Sequence, residues 1–224
     1  MSALAGARTR RTRGWLPFGL IALVVVPGFG GVARLVELFG GSATLPAKPH
    51  VTESPLPLAV HIIAALVFAV LGAFQFSARL RSRRPGWHRV SGRLVVALGF
   101  VVALTALWLN EVTPQPTAAS QLLHLMRLAA GSGVAIGIIL GGTTIRRGDI
   151  AGHRAWMIRA YALAFGAATQ VFTIGIGEAV FGDSELVNAL MQGCGWVINL
   201  TIAERAIRHR GRRSVPARAQ VAIS

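Results

Sequence analysis

The chain alternates between long apolar stretches and short segments crowded with arginine. A helix needs about 20 largely apolar residues to cross the hydrocarbon of a bilayer. Residues 15–33, 57–78, 94–110, 118–145, 156–182 and 186–203 meet or approach that length. The third stretch is slightly short unless its first turn begins earlier. None of them alternates apolar and polar positions at period two, so the pattern predicts helices and not a barrel. The expected fold is all-α: a polytopic membrane helix bundle of about six transmembrane helices, with spans two to five forming a four-helix core. Residues 1–14 read as a basic N-terminal segment, 15–207 as the membrane domain, and 208–224 as a basic, disordered tail.

The first stretch follows Arg8, Arg10, Arg11 and Arg13, as the apolar region of a signal peptide would. It is longer than such a region usually is, and no clear A-x-A site closes it. The expectation is a retained helix.

Composition supports the membrane reading. Of 224 residues, 53% are hydrophobic and 14% charged, and the mean hydropathy is +0.57. Soluble domains carry roughly 25% charged residues. The net charge of +15 would point to nucleic acid in a soluble chain. Here the basic residues occupy short inter-span segments, so no nucleic-acid partner is expected, only the lipid bilayer. All of them except Arg34, Lys48 and Arg127 fall on one side of a six-span arrangement. Short basic loops stay in the cytoplasm. The chain therefore reads as a multi-pass protein of the bacterial cytoplasmic (inner) membrane with both termini cytoplasmic. Cys194, the one cysteine, excludes an intrachain disulfide and reads as a small packing residue. Glycines in spans four to six read as points of close helix approach.

Ionisable groups inside a bilayer are costly and are usually kept for function. His50 and His209 fall in a loop and the tail and carry no argument. The other four histidines form a pattern. His61 and His124 lie about one turn into spans two and four on the outer side. His88 and His153 lie at the inner starts of spans three and five, with Asp149 a candidate cap for the latter. His61 to His88 is 27 residues and His124 to His153 is 29. Gly86-Trp87-His88-Arg89 and Ala151-Gly152-His153-Arg154 are alike, with Arg93 and Arg159 following. This reads as a degenerate two-helix duplication, which implies a pseudo-two-fold axis along the membrane normal. Such an axis would set His61 against His124 and His88 against His153. Two facing imidazoles can supply both axial ligands of a haem iron. One or two b-type haems are the expected cofactors, with Arg127, Arg93 and Arg159 as candidate propionate partners. The competing reading of each histidine is an interfacial cap or a lipid-phosphate partner.

Three segments carry a resemblance: Phe74-Gln75-Phe76, residues 85–93 (PGWHRVSGR) and residues 152–163 (GHRAWMIRAYAL). They resemble the bacterial family of predicted membrane proteins catalogued as domain of unknown function 2306, over roughly residues 56–203. That family implies location and fold but no reaction. The order of the histidines on spans two to five is also similar to that of the ascorbate-reducible transmembrane cytochromes b, which implies six helices and two haems. Here the inner histidines stand at helix starts beside arginine, a departure from that architecture.

The leading functional expectation is transmembrane electron transfer by a b-type cytochrome-like protein, with a small-molecule or protein redox partner, and so a possible membrane oxidoreductase. The alternatives are a small-molecule or ion carrier built on Arg127, Glu178, Asn188, Gln192, Asn199 and the histidines, or a non-catalytic membrane partner or lipid-binding protein. No phosphate loop, serine nucleophile elbow or H-E-x-x-H helix is present.

Overall fold

The computed structural model describes the backbone of residues 2–42 and 55–214, and side chains from Trp15 to Ser42 and from Pro55 to His209. His50 lies outside the described residues. The described residues are helical throughout, apart from short turns: α1 (Ser2–Leu38), α2 (Pro55–Gln75), α3 (Ala78–Arg83), α4 (Pro85–Glu111), α5 (Ala118–Arg146), α6 (Ile150–Ala164), α7 (Gly166–Phe181) and α8 (Glu185–Ser214). Five helical segments are long and apolar enough to cross a membrane: Trp15–Leu38, Pro55–Gln75, Pro85–Glu111, Ala118–Arg146 and Glu185–His209. The bent pair α6 and α7 makes a sixth when taken as one span. The chain is a polytopic helical membrane bundle.

Local chemistry sets the ends of these helices. Thr117 starts α5 with a reciprocal cap: its hydroxyl accepts from the Ser120 N–H, and its own N–H reaches the Ser120 hydroxyl. Asp149 caps α6 by accepting from the Gly152 N–H at 2.8 Å, as the sequence predicts. Pro85 opens α4, where its missing N–H costs nothing.

The third span differs from the expected Leu94–Asn110. Its helix begins at Pro85, so His88, Arg89 and Arg93 stand on its first three turns. The fifth span is not one straight rod over 156–182. It breaks at Phe165, and the two halves are bent by 44°. Gly166 follows the break with no side chain, and the Trp196 indole occupies the space a Cβ would need. A side chain inserted beside the backbone is a recognised cause of a sharp kink. Helix α8 continues to Ser214, beyond the expected start of a disordered tail at 208. Residues 215–224 lie outside the described residues. Cys194 is exposed on the bundle surface and does not pack inside it.

The helices close into a ring. Helix α2 packs on α4, α4 on α5, α5 on α6 and α8, α8 on α7, and α7 and α2 on α1. The expected core of spans two to five is present, and α8 packs against its α5 and α6 members. Glycines make the tightest approach. Gly133, Gly137 and Gly141 recur every four residues on α5 and meet Leu163, Ala160 and Met157 of α6. A stripe of small residues at that spacing lets two membrane helices touch backbone to backbone.

The core has two layers. One gathers Ala64, Phe68, Val95, Val102, Tyr161, Phe165 and Ala168, with Leu20 and Val24 of α1 against it. The other gathers Ala103, Val134, Ile138 and Ala160. Tyr161 is the hub of the first. Its ring stacks on Phe68 and Phe165, each at 5.4 Å, and meets Phe76 edge-on at 5.1 Å.

Candidate functional site

The motif segments converge at the arginine-rich end of the bundle. Phe74 meets Trp87 edge-on at 6.4 Å, Gln75 donates to the Ser91 hydroxyl at 2.8 Å, and Phe76 reaches Tyr161. Three consecutive residues at the end of α2 thus grip two other helices. Ser91 is buried and passes its own proton to the Trp87 carbonyl at 2.6 Å. This cluster holds the first turns of α4, and with them His88, against α2.

His88 is half-buried, and the charges of Arg81 and His153 both act on it. His88 on the first turn of α4 and His153 on the first turn of α6 stand at the same end of the bundle. Nδ1 of His153 lies 2.8 Å from the Gly141 carbonyl. A carbonyl only accepts, so Nδ1 carries the ring proton and Nε2 keeps its lone pair. A carbonyl holding the far nitrogen of a histidine is the usual support for a metal ligand.

The other two histidines stand toward the opposite end. Nδ1 of His61 lies 2.9 Å from the Thr105 hydroxyl, which itself donates to the Val101 carbonyl at 2.6 Å. The hydroxyl has one proton, so toward His61 it accepts, and Nε2 of His61 is also left with a lone pair. His124 is opposite in sense. The Gln115 amide nitrogen donates to Nδ1 at 2.8 Å and to the Thr113 carbonyl at 2.8 Å. Its proton is thus on Nε2, which faces Glu111 at 3.7 Å. Asn110 of α4 fixes the same turn by donating to the His124 carbonyl at 3.1 Å.

Helix α4 stands between α2 and α5, and both outer histidines bond toward it or the loop that follows it. Thr105 and Asn110 are five residues apart on that helix, which is about 140° around its axis at 3.6 residues per turn. Each ring has its own partner, and no hydrogen bond joins His61 to His124 among the described residues.

The candidate arginines separate as well. Arg159 forms a two-pronged pair with Glu204 of α8, Nε to Oε1 at 2.5 Å and Nη2 to Oε2 at 3.1 Å, and its guanidinium lies 4.8 Å from the Trp156 ring. Arg93 is exposed on α4. Arg127 lies well inside α5 and donates to Gln192 of α8 at 3.1 Å.

Sequence reading missed two partners. Glu204 is an acid at the arginine-rich end, legible only as one more polar residue near the end of span six. Thr105 carried no signal, because a threonine in an apolar run normally returns its hydroxyl to its own helix. It does so here and accepts from His61 as well.

No curated protein and no solved structure matches this sequence. One family pattern does: that of the predicted membrane proteins DUF2306, over residues 58–207. The stretch matched runs from α2 into α8 and contains all three motif segments, both histidine levels and the Arg159–Glu204 pair. The chain belongs to the DUF2306 family of predicted membrane proteins.

Proposed function

We propose that this protein is a membrane-embedded electron carrier of the b-type cytochrome kind, with a haem iron held at the arginine-rich end between His88 and His153. The observation that carries the reading is the placement of those two rings. They come from the first turns of α4 and α6 and share one end of the bundle. His153 has its Nδ1 proton given to the Gly141 carbonyl and its Nε2 lone pair available. The donor set fits: two imidazoles suit low-spin haem ligation, and Arg89, Arg93 and Arg154 on the first turns of the same two helices are groups that pair with propionates. Haem would supply a one-electron couple. The chain would supply the ligands and hold the His153 ring through the Gly141 carbonyl.

The opposite level has less support. The Nε2 of His124 carries a proton and faces Glu111, and the ring would have to reverse its tautomer against the Gln115 amide to bind iron. The reading is thus one haem, held by His88 and His153. In this proposal the arginine-rich end is cytoplasmic in a bacterial inner membrane, supported by the one-sided distribution of basic residues.

The test is an absorption spectrum of protein purified in detergent from haem-replete cells. The reading expects a Soret band that sharpens and shifts on reduction with dithionite. It expects His88→Ala and His153→Ala to remove that band, and His124→Ala to leave it. Colourless wild-type protein that elutes as a single folded species would defeat it.

A further inference from the structure

We infer that Arg127 is the centre of an oxyanion-binding site between α5 and α8, independent of any haem. Arg127 is nine residues from the start of α5, roughly 13 Å along the helix at 1.5 Å per residue. A guanidinium has five N–H donors. The contact that the structure gives Arg127 is one, from Nη2 to the Gln192 side-chain oxygen. No carboxylate lies within 4 Å of it among the described residues. Of the acids at that end of the bundle, Glu111 faces His124 and Glu185 accepts from Thr117 at 2.5 Å, while Glu178 and Asp183 form no ion pair with Arg127.

The Gln192 carboxamide is built to present this arginine. It is 8% exposed. Its nitrogen donates to the Asn188 side-chain oxygen at 2.6 Å, and its main-chain carbonyl accepts from Gln170 of α7 at 3.0 Å. The amide is thereby fixed with its oxygen toward Arg127. The held guanidinium keeps most of its fork free, and a fork pairs with the two oxygens of a carboxylate or phosphate. An unpaired cation inside a span is costly unless something neutralises it, and no carboxylate among the described residues does. The polar surface continues along the α7–α8 seam, where Thr173 donates to the Met191 carbonyl at 2.7 Å and Thr169 to Asn199 at 2.7 Å. That seam begins at the break in span five, and interrupted helices are where membrane carriers place polar ligands.

The ligand class is therefore an oxyanion, either the head of an amphiphile entering from the lipid or a small anion from the aqueous side. Full-length protein in nanodiscs of zwitterionic lipid tests this by calorimetry, with laurate, acetate and inorganic phosphate as probes. Saturable binding of at least one probe is expected, weakened at least tenfold in Arg127→Gln and several-fold in Arg127→Lys and Gln192→Ala. Arg147→Gln, in the loop at the other end, should bind as the wild type does. Laurate binding without acetate or phosphate binding assigns the site to an amphiphile. Comparable binding of the small anions assigns it to a free anion. Displacement of laurate by added phosphatidylglycerol, in wild type only, assigns it to a lipid headgroup. The inference fails if no probe saturates, or if a folded Arg127→Lys or Arg127→Gln protein binds as tightly as wild type. Absence of a haem band would leave this result untouched.

Discussion

Tyr161 of α6 donates its hydroxyl to the main-chain carbonyl of Ala69 on α2 at 2.8 Å, across a gap that the two backbones do not close by themselves. The same ring fills that gap by stacking between Phe68 and Phe165. Tyr161→Phe removes the hydrogen bond and keeps the ring, so it should lower stability by about 1 kcal/mol. Tyr161→Ala also leaves a cavity and should cost about 3–5 kcal/mol. Thermal unfolding in one detergent orders the three proteins. Equal stability of Tyr161→Ala and wild type would show that this ring does not hold α6 to α2.

Gly137 faces Ala160 so closely that an added Cβ would stand 3.0 Å from that residue's methyl carbon. Gly137→Leu must therefore push α5 from α6 along the whole Gly133–Gly137–Gly141 stripe. Gly142 is one turn position away and meets nothing within 4 Å. Gly142→Leu should be tolerated, while Gly137→Leu should lower the yield of monodisperse protein and its unfolding temperature. Similar behaviour of the two variants by size exclusion would remove the stripe as the packing device.

The Arg159–Glu204 pair joins α6 to α8 near the arginine-rich end, with side chains about one-third exposed. Exposed pairs are worth up to ~1 kcal/mol, and the two-pronged geometry places this one at the upper limit. Arg159→Gln and Glu204→Gln should each destabilise by about that amount. The double variant should lose less than the sum, because each single change already removes the interaction. Strict additivity would mean the pair contributes nothing.

Orientation has its own measurement. In a Cys194→Ala background, Arg84→Cys places a thiol in the turn before α4, and Pro116→Cys places one in the turn before α5. A membrane-impermeant maleimide applied to intact cells should label the second and spare the first. The reverse result would invert the topology drawn from the arginines.

Much of this arrangement was legible in the pattern of apolar runs. Ala118–Arg146 ends within a residue of its predicted limits, because Thr117 caps one end and Gly148 follows the other with φ +79°. Membrane depth and length constrain such a helix directly. The start of α4 was legible only as an earlier turn with His88 near it, because Trp87, His88, Arg89 and Arg93 break the apolar run. What makes that stretch helical is its docking through Gln75 and Ser91, a long-range contact. The bend at Phe165 was hidden for a similar reason: the Trp196 indole packed against Gly166 at the break is thirty residues away in the chain. For the candidate site, spacing foretold that His88 and His153 share an end. It did not foretell the tautomers, which depend on Gly141, Thr105 and Gln115. Nor did it separate Arg127 from Arg159, since only the fold gives one of them an acid.

Helix α1 touches the rest through α2 and α7, with Leu20 and Val24 against the core and about half of its residues from Trp15 to Leu38 exposed. The family pattern begins at residue 58, after α1 has ended. Between apolar surfaces in lipid no solvent is expelled, so hydrocarbon tails can replace α1 at little cost. The first helix is in this sense an outrigger: swapping its sequence for another apolar one of equal length would leave the histidine levels where they are.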